Sequence, residues 1–206
     1  MPKYTVQDSC FYDNDTKCFI EWLTIELAPT ILGSKPATVL SFMNSSYQAA
    51  LTIWQQQGCE MLKDSLVQFT RLRCKPNLQT VLFYRKDVLE RCVDYHNCFL
   101  KELGYPVDES VDQCLALLHE RFKESCPHEI GILLGIPLKD VLGFMELSGS
   151  QLTCRKEWCI YGNPAESFVA MERFAADKAF VSCLLSKGIT PAEIILPRPH
   201  PLNKIA

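Results

Sequence analysis

The chain has 206 residues, 48% of them hydrophobic, and a formal net charge of −3 at pH 7. That length and apolar share suffice for one substantial core, the slight negative charge gives no general attraction to nucleic acid, and no apolar run approaches the roughly 20 residues that span a bilayer. The opening MPKYTVQDSC lacks the basic-then-apolar layout of a secretion signal, so the expectation is a cytoplasmic protein with neither a membrane nor a nucleic-acid partner.

In chain order, Asp13-Asn14-Asp15 offers a cap for a helix to about Glu26, with Phe19, Trp22, Leu23 and Glu26 spaced by three and four. Leu27 to Pro36 holds two prolines and a glycine and reads as a loop laid against the core. Thr38 to Met43 fits either a short buried strand or a turn of helix. Ser45-Ser46 offers a cap for a helix through Gln57, closed by Gly58 in a left-handed conformation. Leu66 to Arg73 and Gln79 to Arg85 read as a hairpin around Cys74-Lys75-Pro76-Asn77, whose proline and asparagine suit a turn. Its cluster of Arg71, Arg73 and Lys75 reads as a solvated face.

A helix from about Lys86 to Leu103 stops at Gly104, and Pro106 prevents its continuation. Asp108 or Ser110 caps the next one, to about Glu124, with Val111, Cys114, Leu115, Leu118 and Phe122 on one face. Cys126 to Met145 reads as two helices around Gly135, with Pro137 as the first residue of the second. Glu157 to Tyr161 reads as a short strand, and Asn163-Pro164 opens a long helix to about Lys187, ended by Gly188. These elements predict an α+β fold: a single domain over 1–196 with helices packed on a small mixed sheet, which holds the hairpin and the 157–161 strand, and a loosely ordered proline-rich tail over 197–206.

A degenerate repeat runs through this plan. LGSKPATVLSFM (Leu32 to Met43) and LGIPLKDVLGFM (Leu134 to Met145) agree at six of twelve positions, among them Gly33/Gly135 and Phe42/Phe144. The repeat predicts two glycine corners lying side by side about an approximate twofold axis, with a cleft between them lined by Thr30, Lys35, His128, Glu129, Trp158 and Tyr161.

Several chemistries can be weighed against the residues. The eleven cysteines are odd in number, scattered, and lack any CxxC pair, which points to reduced thiols rather than a disulfide framework or a metal site. Cys154 and Cys159 read as small buried hydrophobes. His128-Glu129 stands at a helix start, where an imidazole and a carboxylate can ligate a metal, hold an anion or move a proton; equally, Glu129 can simply complement the helix dipole. No HExxH motif is present, since position 132 is isoleucine. IGILLGIPLKDVLGFM has the look of a helix-turn-helix, but its second helix offers only Lys139 to base edges, so it reads as a packing corner. Thr30, Ser34 and Lys35 offer hydroxyl and ammonium donors to an anionic group without the spacing of a phosphate loop.

The pieces APTILGSKP, VLFYR, FLKELGYP, CPHEIGILLGIPLKDVLGFM and WCIYG, in this order, resemble an uncharacterised bacterial family, domain-of-unknown-function family 3793, common in anaerobic Gram-positive bacteria. The resemblance runs from about Glu26 to Lys187, and its most specific part is PHEIG-LG-P-DV-GF. Pro127, His128, Glu129, Gly135, Pro137, Asp140, Trp158, Tyr161 and Gly162 match the family pattern. Typical members carry a cysteine where this chain has Leu27, which marks it as a divergent member. The resemblance implies no established activity; the company some relatives keep with flavodoxin-like proteins points to redox or iron metabolism.

Three functional expectations follow. The first is binding of a small anionic ligand or cofactor of unknown identity in the cleft, with Thr30, Ser34 and Lys35 as polar contacts and Trp158 and Tyr161 as stacking surface. The second is an enzyme of redox or metal-linked metabolism, with His128 as proton shuttle or ligand and Glu129 as its carboxylate. The third is an interaction module for a flavodoxin-like partner.

Overall fold

A computed structural model describes residues 16–44 and 49–196; the expected caps at Asp13-Asn14-Asp15 and Ser45-Ser46 and the tail from Pro197 lie outside the described residues. The elements are α1 (Thr16–Glu26), α2 (Ala28–Leu32), β1 (Ala37–Met43), α3 (Ala50–Leu62), β2 (Val67–Lys75), β3 (Leu78–Arg85), α4 (Lys86–Tyr95), α5 (Asn97–Glu102), α6 (Val111–Glu124), α7 (Ile130–Leu133), α8 (Leu138–Phe144), β4 (Leu152–Arg155), β5 (Cys159–Tyr161), α9 (Ala165–Ser186) and α10 (Pro191–Ile195).

β3 organises the molecule. Its sequence LQTVLFYR holds an unbroken apolar run from Val81 to Tyr84, which suits a strand buried on both faces, and its six middle residues are all buried, Gln79 and Thr80 included. It lies at the centre of an antiparallel sheet of order β1-β3-β2. Val81 and Phe83 enter one cluster with Phe19 and Leu23 of α1 and Trp54 of α3. Leu82 and Tyr84 enter a second with Leu89 of α4, Leu100 of α5 and Leu118 of α6. Successive side chains of a strand point to opposite faces, so one strand ties together two helical layers.

Trp54 fixes the first layer. Its ring stacks on Phe42 with centroids 5.0 Å apart, meets Phe83 edge-on at 5.1 Å, and its Nε1 donates to Gln79 Oε1 at 2.7 Å. The indole leans over Gly58 of the same helix, where a Cβ would lie 2.2 Å from the ring. Gly58 therefore admits the indole instead of ending the helix: α3 continues to Leu62, a correction to the expected stop.

The central sheet is wholly antiparallel, and the 159–161 strand does not belong to it. That strand, β5, pairs with β4 in a separate two-stranded ribbon. The reason is local: at Tyr161 the backbone N–H donates to Asp140 Oδ1 at 2.8 Å and the carbonyl accepts from Lys139 Nζ at 3.1 Å. Side chains of α8 thus occupy groups that another strand would need.

Other expectations hold with adjustments. Ser110 caps α6, and its five predicted core residues are buried. The helix expected over 86–103 is broken at His96 into α4 and α5, and Gly104 follows with φ +81°. Pro137 caps α8 from outside the helix instead of starting it. α10, opened by a reciprocal Thr190 and Glu193 capping box, had no counterpart in the sequence expectations.

The repeat survives only at its corners. Gly33 (φ +82°) and Gly135 (φ +71°) each follow a short helix, α2 and α7. Beyond them the aligned segments part: residues 37–43 form β1 while 138–144 form α8, so the structure carries no repeat. Thr38 and Val39 are β-branched and pair with Phe83 and Leu82, whereas the aligned Asp140 is drawn into the contacts with β5. The corners nevertheless touch, since a Cβ on Gly135 would lie 3.1 Å from Pro36 Cδ and 3.7 Å from Lys35 Cγ.

Gly58→Ala should cost about 2 kcal/mol of unfolding free energy through overpacking, read from urea denaturation. Gly149→Ala, where an added Cβ meets nothing within 4 Å, should leave the midpoint nearly unchanged.

Candidate functional site

Asp140 is 1% exposed and has donors for both carboxylate oxygens. Oδ1 accepts from Lys139 Nζ at 2.7 Å and Tyr161 N at 2.8 Å; Oδ2 accepts from Trp158 Nε1 at 2.8 Å and Ser167 Oγ at 2.6 Å. Lys139 also reaches Ser167 Oγ at 2.9 Å. One carboxylate so joins α8, β5 and α9. Burial pushes its pKa up, but the hydrogen bonds from Lys139, Ser167, Tyr161 and Trp158 together outweigh it and hold the group below the ordinary carboxylate range. Gly143, one turn further along α8, leaves room for the Tyr161 ring, which a Cβ would approach to 2.3 Å.

His128 and Glu129 serve different neighbours. The Glu129 side chain is buried, receives the Tyr105 hydroxyl at 3.1 Å and forms an ion pair with Arg121. Arg121 also donates to the Leu103 carbonyl and stacks over the Tyr105 ring at 4.7 Å. Burial, and next the charge of Glu129, push the Tyr105 phenol well above its usual value, which keeps the phenol a donor. The His128 ring instead packs edge-on against Phe144, 4.8 Å away. The two side chains are not arranged as ligand and orienter of one centre.

The corner itself has a different cast. Thr30 is fully buried and its hydroxyl is paired with that of Thr38 at 2.8 Å; Trp158 and Tyr161 are committed to Asp140 and α8. With Thr30 and Glu129 closed inside, the six expected residues do not line one hollow. Ser34 donates to Asp177 of α9, and Lys178 pairs with Glu26 at 2.6 Å. Lys35 stands between them with its ammonium over the Phe174 ring, 5.2 Å from the centroid. Burial, then the neighbouring Lys178, lower its pKa to about 8, while Glu26 and Glu157 act in the opposite direction. Among the described residues no carboxylate lies within ion-pair distance of Lys35.

Sequence reasoning found Lys35 and Ser34 but missed Phe174, Asp177, Lys178 and Glu26. Their pairings span separations of 143 and 152 residues, and no local pattern announces such contacts. For Asp140 the sequence offered only a match to the family pattern. Among the described residues no three His, Cys, Asp or Glu side chains gather as a metal site, no helix is long and apolar enough to cross a membrane, and the nine described cysteines from Cys59 to Cys183 are free thiols. Cys154 and Cys159 are half-buried. Burial pushes the Cys92 thiol to about 12, and it donates to the Ile132 carbonyl.

Residues 23–195 match the model of the family described as Protein of unknown function (DUF3793), and the chain belongs to that family. Comparison with curated proteins and with solved structures finds no match. Three of the residues that carry the family resemblance, Asp140, Trp158 and Tyr161, meet in the one hydrogen-bonded network.

Because the folded Asp140 carboxyl titrates below the usual value near 4, it adds stability above that range, and the contribution is lost as pH falls through the folded value. Asp140→Asn should lower unfolding free energy by about 3 kcal/mol near neutral pH. It should also flatten the acid limb of the stability profile, measured by urea melts across a pH series.

Proposed function

We propose that the protein binds a small anion, a carboxylate or phosphate group, at the contact of the two glycine corners, with Lys35 as the charged contact. The observation that carries this reading is the state of the Lys35 ammonium. It is withdrawn over an aromatic ring, and two acids of the corner are otherwise engaged, Asp177 by Ser34 and Glu26 by Lys178. A partly desolvated cation with no acid at ion-pair distance gains more from an anion than a fully hydrated one, because the local dielectric is low and the desolvation has already occurred. The depressed pKa is the same fact seen from the proton's side: burial and the charge of Lys178 outweigh the more distant Glu26 and Glu157 and disfavour the ammonium. Ser34, adjacent in sequence, supports the reading as a hydroxyl that can turn from Asp177 to the ligand.

The test is calorimetric titration with inorganic phosphate and, separately, with citrate. Saturable binding of at least one is expected, weakening as pH rises through about 8 where Lys35 loses its proton. Lys35→Met should weaken it about tenfold or more, the order of a lost charge-assisted hydrogen bond, while Lys75→Met on the exposed hairpin leaves it unchanged. Failure of both anions to bind, or unaltered binding by the Lys35 variant, would reject the reading.

A further inference from the structure

α9 carries apolar residues around its whole circumference, a pattern that belongs to a helix covered on more than one side. Among the described residues only one side is covered. The inner face, with Ser167, Ala170, Phe174 and Val181 buried, packs on α1 and α2. The outer face leaves Phe168 38%, Val169 64% and Phe180 45% exposed. Along that face Ala165, Val169, Glu172, Ala176, Ala179 and Cys183 recur at alternating intervals of four and three residues, the seam of a two-stranded coiled coil. The seam runs the length of a 22-residue helix, about 33 Å, and four of its six residues are alanine or cysteine, which lets another helix approach closely.

The geometry points to a second copy of this chain as the occupant, with α9 packed against α9 antiparallel about a twofold axis. The order of residues is self-complementary in that direction. With Ala176 opposite the partner's Ala179, Val169 falls opposite the partner's Ser186 and Glu172 opposite the partner's Cys183. The flanking row then brings Arg173, whose guanidinium lies 5.6 Å from the Phe174 ring centroid in its own chain, beside the partner's exposed Phe180, and Glu166 to the partner's Lys187, opposite charges at the ends of the seam. Twofold symmetry makes each contact twice. Arg173, Glu166 and Lys187 are all exposed, and among the described residues none of them forms an ion pair. A parallel pair would set Glu172 against its own copy in the middle of the seam and would not bring Glu166 to Lys187, so charge selects the antiparallel arrangement. This inference rests on the outer face of α9 and is independent of anion binding at Lys35.

Sedimentation velocity of the full chain over a concentration series should show reversible dimerisation. Ala176→Glu places two like charges at the closest approach of the helices and should raise the dimer dissociation constant about tenfold or more, with an unchanged far-ultraviolet circular dichroism spectrum because position 176 faces solvent. Gln113→Glu, on the exposed side of α6, should leave it unaltered. Glu166→Lys and Lys187→Glu should each weaken the dimer a few-fold, and the two together should restore it, which only the antiparallel register allows. A chain monomeric throughout the series, whether its own termini or nothing at all covers the face, would overturn the proposal. So would an Ala176→Glu variant that dimerises like the unsubstituted protein.

Discussion

A carboxylate removed from water must find donors for both of its oxygens or stay protonated, and much of the second half of this protein is arranged by how Asp140 meets that demand. Its four donors come from Lys139 beside it, the backbone of β5, the indole just before β5, and Ser167 in the first turns of α9. None of these is near another in a way that apolar packing alone would specify. Hydrophobic contact is non-directional; a hydrogen-bonded charge is not, and here it sets the angle at which the β4–β5 ribbon meets α8 and the point at which α9 begins. The same demand explains why the ribbon stays apart from the central sheet: Tyr161 has given both its backbone groups to α8.

The placement of α9 then fixes the other half of the site. Once Ser167 is held by Asp140, the helix carries Phe174, Asp177 and Lys178, two and three turns on, to the corner at Gly33 and Gly135. Phe174 contacts both sides of that corner, lying under the Lys35 ammonium and 3.3 Å from where a Gly135 Cβ would stand. Gly135 is therefore glycine for two reasons, a left-handed backbone and a lack of room. The corner is built jointly by residues 33–36, residue 135 and the middle of α9, and no one of these segments supplies the environment that depresses the Lys35 pKa.

What could be read from the sequence was what short-range rules govern. The α6 face from Val111 to Phe122, the hairpin around Pro76-Asn77, and the start of α9 after Asn163-Pro164 all follow from periodicity, turn chemistry and capping within about one element's length. Gly58 misled because glycine near a helix end has two meanings, a left-handed stop or a space for a neighbour, and only the position of the Trp54 ring separates them. The repeat misled for a related reason. VLSFM and VLGFM are similar strings, yet one is a strand against β3 and the other a helix, because β-branched Thr38 pairs within a sheet while its aligned partner Asp140 is a hydrogen-bond acceptor on a helix. His128-Glu129 looked like a dyad in one dimension; in three, Arg121 and Tyr105 claim the carboxylate and Phe144 the imidazole.

The two faces of α9 make different kinds of contact for a physical reason. Its inner face carries the polar residues Ser167, Asp177 and Lys178, each satisfied by a partner from elsewhere in the chain, so polarity inside is specified contact by contact. Its outer face carries alanines, Val169 and two phenylalanines, which have no directional demands and lose only hydration when covered, interspersed with the exposed charges of Glu166, Glu172 and Arg173. A helix facing only solvent on that side would carry the charged residues that α4 places on its own exposed face, Asp87, Glu90 and Arg91 among them. Along α9 the outer row instead mixes Glu166, Glu172 and Arg173 with alanines, Val169 and Phe180, which is what a helix shared between a folded chain and a second surface requires: the interior contacts fix its position, and the exterior ones need only match another face as regular as itself.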